Sequence, residues 1–427
     1  MSKANKLFQQ QELASIANKS RVQEKRIDIP IVDNKEFRMD LISRIENVTL
    51  KIIEQLSTGR PPRISYSSKQ SVTVESSLPQ ENVYPGYSQS TDTDRDTMSF
   101  DSSSDTMSFN SPSDFDEEQD TDEEDDTQCS GETTVDFARK RSRNKFTLMA
   151  MIMAEAHYLL LTNTTKTRRS FYYDLKNETT EYLVPNQIYV DRALNSVANL
   201  LECAPWNLQL LATNKGLVAG NITITLVDSQ VINCSIPEGV EIPQIISNVT
   251  SISVKANFVL VIEKDAAFQK LLQENCPRVL NCILVTGKGY PDVSTRMLVK
   301  MLSEKMDLPI YIVVDADPFG VEIMLIYRFG SSALSKENES LACHNARWLG
   351  IHPSELIDLG AKTISLTEAD LAKLRSIEGR SYVNEAISKQ LSILRNGKAE
   401  IEAISSFAKN FLTGTYLPYK IDSHDHI

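Results

Sequence analysis

Tyr311-Ile312-Val313-Val314-Asp315-Ala316-Asp317-Pro318 is an apolar run that ends abruptly in two carboxylates one residue apart. A run of this kind suits a strand buried on both faces, the situation of a parallel sheet between two layers of helices. Side chains at i and i+2 of an extended segment share a face, so Asp315 and Asp317 are spaced to chelate one divalent cation. The same residues also fit turn and helix-capping chemistry.

Neighbouring segments shift that balance towards a metal. Phe258-Val259-Leu260-Val261-Ile262 is a second apolar run, and it ends in Glu263. Between the two lies Cys282-Ile283-Leu284-Val285-Thr286, followed by Gly287-Lys288-Gly289. Glycines in such a turn allow a close approach of backbone to a phosphate or to another segment. The order strand-Glu, strand-Gly-Lys-Gly, strand-Asp-X-Asp resembles the toprim metal-binding domain of topoisomerases and primases. It implies a Rossmann-like, mainly parallel sheet with its functional edge at the carboxyl ends of the strands. On this reading Glu263, Asp315 and Asp317 hold Mg2+ for phosphodiester chemistry.

The formal net charge of −12 over 427 residues argues at first against a nucleic-acid partner. The deficit is local. Residues 66–136 hold 19 Asp and Glu against only Lys69 and Arg95, which leaves 43 basic and 38 acidic residues for the rest of the chain. With that segment set aside, the remainder is mildly basic and suited to DNA. The segment is rich in Ser, Thr, Asp and Glu, too poor in large apolar residues to offset chain entropy, and is expected to be a disordered acidic linker. It contains a tandem duplication, Asp96-Thr97-Met98-Ser99-Phe100 repeated as Asp105-Thr106-Met107-Ser108-Phe109.

Six cysteines show no CxxC pair and five histidines do not cluster at zinc intervals, so a reduced protein without a zinc site is expected. No secretory signal and no apolar run of membrane-spanning length is visible, which argues against membrane insertion.

Ahead of the acidic segment, in an N-terminal extension over residues 1–65, Leu41, Ile45, Val48, Ile52 and Leu56 describe one stripe of an amphipathic helix. After it, residues 137–235 read as a separate helical module. Arg139-Lys140-Arg141-Ser142-Arg143-Asn144-Lys145 forms a basic entry that reads equally as a phosphate-contacting helix start or a nuclear-localisation signal. An apolar helix follows over 146–161, then a second helix marked by Leu194, Val197, Ala198 and Leu201. The alternating stretch Asn221-Ile222-Thr223-Ile224-Thr225-Leu226-Val227 predicts a half-buried strand. Helices followed by such a ribbon fit a winged helix, a DNA-binding arrangement, with the toprim domain over 250–418.

Within the helical module stands Arg168-Arg169-Ser170-Phe171-Tyr172-Tyr173-Asp174. A tyrosine attacks a phosphodiester when neighbouring cations stabilise the developing charge, although paired tyrosines are also common in cores and interfaces. The cluster resembles the Arg-X-X-(Tyr/Phe)-Tyr motif of the topoisomerase VI A-subunit family, whose eukaryotic branch includes the meiotic double-strand-break transesterase, sporulation protein eleven. The resemblance continues through Val190-Asp191-Arg192, Lys215-Gly216-Leu217-Val218-Ala219-Gly220-Asn221 and Gly287-Lys288-Gly289-Tyr290-Pro291-Asp292. It then includes Asp315-Ala316-Asp317-Pro318-Phe319-Gly320, Arg347-Trp348-Leu349-Gly350 and Lys398-Ala399-Glu400-Ile401-Glu402-Ala403. Asp174 directly after the tyrosine and the acidic insertion are departures from the family's pattern.

The resemblance implies that Tyr173 is the nucleophile, with Arg169 as the motif arginine. It implies an active homodimer around double-stranded DNA, in which Tyr173 of one protomer faces Glu263, Asp315 and Asp317 of the other and cleavage leaves a 5'-phosphotyrosyl link. Lys215 and Lys288 are candidate DNA-phosphate contacts, although each also reads as a solvated cation. Implied partners are a topoisomerase VI B-like subunit together with other meiotic break-forming proteins, on meiotic chromosomes in the nucleus. The alternative is a type IIB topoisomerase of the same family, in which this chain cleaves and reseals DNA with an ATPase-bearing B-type partner.

Overall fold

A computed structural model of the chain describes residues 23–29, 35–67, 132–244, 249–331 and 338–427. The tandem duplication and most of the acidic segment lie outside these residues. From the N-terminus come strand β1 (Lys25–Asp28), helix α1 (Lys35–Ser57), strands β2 (Arg63–Ser67) and β3 (Glu132–Asp136), and helix α2 (Lys140–Thr162). Then follow β4 (Lys166–Thr167), α3 (Arg168–Asp174), α4 (Gln187–Leu200) and β5 (Leu210–Leu211).

Helical spacing of apolar residues explains how these pieces pack. Phe146, Met149, Ile152, Met153, Ala156 and Leu160 of α2 recur at three or four residues and face Val190, Leu194 and Val197 of α4 in one buried cluster. Leu41, Ile42 and Ile45 of α1 join it, so the N-terminal stripe packs on the chain's own core. Its far end does not, because Leu56 is exposed. Asn163 ends α2 in the left-handed conformation, and its side-chain oxygen accepts a hydrogen bond of 2.6 Å from Arg38 of α1.

Strands β2 and β3 pair antiparallel, Ile64 opposite Val135, and both side chains enter the helical core. The ends of the expected linker, Tyr66 and Ser67 and then residues 132–136, therefore belong to an ordered ribbon. Sequence could not show this pairing because the partners are separated by the whole acidic segment.

The second part of the chain begins with β6 (Leu217–Ala219), β7 (Ile222–Leu226), β8 (Val231–Asn233), β9 (Val240–Glu241) and β10 (Val249–Val254). After them come β11 (Phe258–Ile262), α5 (Asp265–Gln273), β12 (Cys282–Thr286), α6 (Val293–Glu304), β13 (Ile310–Val313), α7 (Pro318–Phe329) and β14 (Arg347–Gly350). Helices α8 (Glu368–Glu378) and α9 (Glu385–Leu394) lie near the C-terminus.

A six-stranded sheet runs β14-β13-β11-β12-β6-β9, and its first four strands are mutually parallel. Strand periodicity divides the apolar runs between two cores. Val259, Val261, Ile283, Val285, Ile310 and Ile312 pack with Leu298 and Leu302 of α6 and Val321 and Met324 of α7. Leu260, Ile262, Leu284, Tyr311 and Val313 face the other way, against Ala267, Phe268 and Leu271 of α5.

The ribbon expected to be the wing of the helical module is placed differently. Strand β7 pairs with β10 and β8 in an antiparallel sheet, β1-β10-β7-β8, and Ile222 and Ile224 are buried in the core shared with α6 and α7. Alternation marks a half-buried strand but does not say which core covers it. The ribbon that packs on the helical module is β2–β3.

The chain leaves β11 for β12 on one side and then crosses to β13 on the other, with α5 and α6 on opposite faces. Strand order therefore reverses at β11. In open α/β sheets such a reversal opens a crevice at the carboxyl ends of the strands.

Candidate active site

Glu263 and Asp315 stand at that crevice, just beyond β11 and β13. Each of the three expected acids gives one oxygen to a backbone amide. Glu263 Oε2 accepts from Asp315 N at 2.8 Å, Asp315 Oδ1 from Ile401 N at 2.8 Å, and Asp317 Oδ1 from Gly320 N at 2.6 Å. Asp317 thus serves as the N-cap of α7, so capping and an acidic site coexist in one residue. Gly320 explains the closeness of the group: a Cβ there would lie 2.5 Å from the Asp315 carbonyl oxygen and 2.9 Å from Glu263 Oε2.

Burial, with repulsion from Asp315 and then Asp317, pushes the Glu263 carboxyl well above the usual range. Burial likewise pushes Asp315 up to about 6, against the opposing pull of Lys264, and raises Asp317. An acidic cluster held with more negative charge than its surroundings tolerate, made of hard oxygen donors, fits a hard divalent ion such as Mg2+. The three carboxylates are neighbours without all lying within 4.8 Å of one another; among the described residues only His352, Glu355 and Asp425 meet that distance.

That second cluster already contains a cation. Lys420 Nζ lies 2.5 Å from Glu355 Oε1, 3.1 Å from His352 Nδ1 and 3.0 Å from Asp425 Oδ2. The Lys420–Glu355 pair is buried and fastens the C-terminal segment to the turn that follows β14.

The Gly287-Lys288-Gly289 turn is tied to the acidic edge. Gly289 N donates to the Glu263 carbonyl at 2.8 Å, and the hydroxyl of Thr286 donates to the same oxygen at 3.2 Å. Lys288 and Gly289 both take positive φ, 51° and 87°, which bends the turn back over the strand end. Lys215 reaches the same place, its ammonium donating to the Lys288 carbonyl at 3.2 Å. Asp292 Oδ2 accepts the amides of Lys215 and Gly216 at 2.9 and 3.1 Å, which fixes that approach. Burial, reinforced by the charge of Lys288 and opposed by Asp292, lowers the Lys215 pKa. The structure therefore brings both expected lysines together at the turn whose backbone is bonded to Glu263, with the Lys288 ammonium 3.5 Å from Asp265 Oδ2.

Tyr173 stands on α3, in the helical module. Phe171 anchors this short helix in the core, Thr167 caps it by accepting from Ser170 N, and Lys166 holds Asp174 at its end by an ion pair of 2.5 Å. Tyr173 itself is 56% exposed, and Arg169 Nη2 donates to its hydroxyl at 3.3 Å. Among the described residues, its hydrogen bond and ring contacts are to Arg169 and Tyr172, both on α3. The exposed phenol and the acidic edge therefore belong to different cores of the same chain.

Lys264, the residue after Glu263, belongs to the site although no motif of the sequence singles it out, and its ammonium lies 2.8 Å from Asp315 Oδ2. Glu400 and Glu402 approach the same ammonium. A lysine directly after a strand-end acid was the available signal.

The sequence matches the topoisomerase 6 A-subunit/Spo11 toprim domain over residues 258–421, and type IIB DNA topoisomerase over residues 144–210. It is 38% identical over 290 residues to the human meiotic recombination protein SPO11, covering 66% of this chain and 72% of that protein. The mouse protein of the same name is 37% identical over the same shares. The DNA topoisomerase 6 A-subunit of Arabidopsis thaliana is 32% identical over 299 residues, 68% of each chain.

Proposed function

The chain belongs to the topoisomerase 6 A-subunit/Spo11 family, and we propose that it makes meiotic DNA double-strand breaks with Tyr173 as the attacking nucleophile. It is a DNA-cleaving, topoisomerase-like transesterase. The observation that carries the finer reading is the exposed Tyr173 hydroxyl with the Arg169 guanidinium upon it, inside the segment matched to type IIB topoisomerase.

Tyr173 Oη attacks the scissile phosphorus, the bond to the 3' oxygen breaks, and the 5' phosphate stays on the protein as a phosphotyrosyl ester. The phenol gives up its proton and the departing 3' oxygen gains one. Arg169, already donating to the phenolic oxygen, stabilises negative charge as it moves from that oxygen to the phosphate. Lys215 and Lys288 hold the DNA backbone beside the acidic edge. Glu263, Asp315 and Asp317 would hold Mg2+, which would supply electrostatic stabilisation of the negative charge that develops in the reaction.

Because Tyr173 makes its contacts within its own helix and stands out to solvent, it is suited to meet the acidic edge of a second protomer. Two protomers on one duplex give two such composite sites, one for each strand. The family's DNA substrate, its dimer and its B-type partner set the assembly; other meiotic break-forming proteins and a place on meiotic chromosomes in the nucleus belong to the proposal. Among the described residues, no helix is long and apolar enough to cross a membrane.

The type IIB topoisomerase reading has its own support in the identity to the plant topoisomerase protein. Two measurements separate them. Mapping covalent 5' adducts in meiotic cells is expected to recover this chain on DNA ends, and no adduct at all overturns the proposal. ATP-dependent relaxation of supercoils by the chain with a B-type partner favours the topoisomerase reading instead.

A further inference from the structure

Each carboxylate of the acidic edge spends one oxygen on a backbone amide, and this leaves one oxygen apiece. For Glu263 and Asp317 that remaining oxygen carries no hydrogen bond among the described residues. For Asp315 it carries the ammonium of Lys264, 2.8 Å from Oδ2. The same ammonium lies 3.3 Å from Glu400 Oε2 and 3.7 Å from Glu402 Oε2. Asp315 is interior, its side chain 3% exposed, whereas those of Glu400 and Glu402 are 60% and 46% exposed. One lysine thus bridges an interior carboxylate to two at the surface.

We propose that Lys264 is a displaceable counter-ion of the metal site, exchanging with the divalent ion at Asp315 Oδ2 and withdrawing onto Glu400 and Glu402. This rests on the reading that Glu263, Asp315 and Asp317 hold the metal.

Three observations carry the exchange. Asp315 Oδ1 is fixed by the amide of Ile401, so Oδ2 is the oxygen left to ligate, and an ammonium at hydrogen-bond distance and a divalent ion compete for it. Of its two partners, the lysine is the one that moves, on a flexible four-carbon stem, whereas the amide belongs to the backbone. Finally, the segment bearing Glu400 and Glu402 is pinned to the Asp-X-Asp segment. Ala316 and Ala399 exchange backbone hydrogen bonds of 2.9 and 3.1 Å, so the surface acceptors stay within reach when the ammonium leaves Asp315.

The device has a use. Without it, an interior carboxylate among other acids would carry its charge unpaired whenever the metal leaves. With it, the Asp315 carboxylate keeps a counter-charge and the metal enters by exchange, at some loss of affinity.

The test is Mn2+ binding to the full chain at pH 8 and physiological ionic strength, counted from the electron paramagnetic resonance signal of the free ion. Lys264→Met is expected to bind Mn2+ on the order of tenfold more tightly than wild type, with Lys264→Gln behaving alike. The double variant Glu400→Gln/Glu402→Gln is expected to bind roughly threefold more weakly, and that loss disappears when Lys264→Met is added. Binding that is lost in Asp315→Asn but unchanged or weaker in Lys264→Met overturns the exchange alone. Wild-type binding that Asp315→Asn leaves intact overturns the ligand assignment, and the exchange with it.

Discussion

Glu263 Oε2 accepts the backbone N–H of Asp315 at 2.8 Å, so a side chain from one strand end and the backbone of the next are locked together. The bond holds charged groups where burial and mutual repulsion oppose ionisation of Glu263. Glu263→Gln retains an acceptor oxygen for that amide and removes the charge. The expected result is a melting temperature in chelator a few degrees above wild type, with most of the Mg2+-induced rise in melting temperature gone. A variant that melts lower and still responds fully to Mg2+ would show that Glu263 is a structural acceptor only.

Tyr173→Phe removes one exposed hydroxyl from a helix anchored elsewhere by Phe171. Its stability is expected within about 0.5 kcal/mol of wild type, with covalent protein–DNA adducts abolished. Arg169→Ala is expected to lower adduct formation by roughly a hundredfold, and Arg169→Lys to recover only part of it, because lysine lacks the planar fork. Adducts are scored by their survival through denaturation.

Gly320→Ala tests the tightness of the acidic edge. Its Cβ would meet the Asp315 carbonyl oxygen at 2.5 Å and Glu263 Oε2 at 2.9 Å, and the first is backbone and cannot swing aside. The expected cost is about 1 to 3 kcal/mol in urea unfolding, together with a smaller Mg2+-induced rise in melting temperature. Full stability would mean that the crevice is looser than these distances require.

The sheet and its acidic edge are legible in the sequence, whereas contacts between distant segments are not. The runs at 258–262, 282–286 and 311–314 are legible because continuous apolarity means burial on both faces, and the acids that end two of them stand out against it. The pairing of Arg63–Ser67 with Glu132–Asp136 was hidden by the acidic residues between them. The wing was misplaced because Ile222 and Ile224 alternate correctly in either core. Lys264 meets Asp315 and Glu400 only through the fold, across 51 and 136 positions of sequence, and no local pattern encodes such a meeting.

Lys215 and Lys288 are expected to act through DNA phosphates. If so, Lys215→Ala and Lys288→Ala each weaken binding to duplexes of any sequence and reduce the slope of log affinity against log salt by about one. The backbone amides of Lys215 and Gly216 that Asp292 accepts survive the substitution at Lys215, so the local fold is expected to hold. An unchanged salt slope in both variants would remove the two lysines from the DNA path.

His352 supplies a pH dependence independent of the acidic edge. Its Nε2 lies 3.0 Å from the Trp348 carbonyl oxygen and its Nδ1 lies 3.1 Å from Lys420 Nζ, so the neutral ring donates to the carbonyl and accepts from the ammonium. Burial, and then the charge of Lys420, lowers its pKa to about 4, from an ordinary value near 6.5. Between those two values the unfolded chain takes up a proton that the folded chain refuses. The contribution to stability is therefore complete above pH 6.5 and is lost as pH falls towards 4. At 2% exposure the imidazole is little screened, and the loss amounts to roughly 3 kcal/mol. Urea unfolding at pH 7 and pH 4.5 measures it, with His352→Gln expected to show a correspondingly shallower decline. An equal decline in both proteins would assign the acid sensitivity to other groups and leave His352 titrating as it does in the unfolded chain.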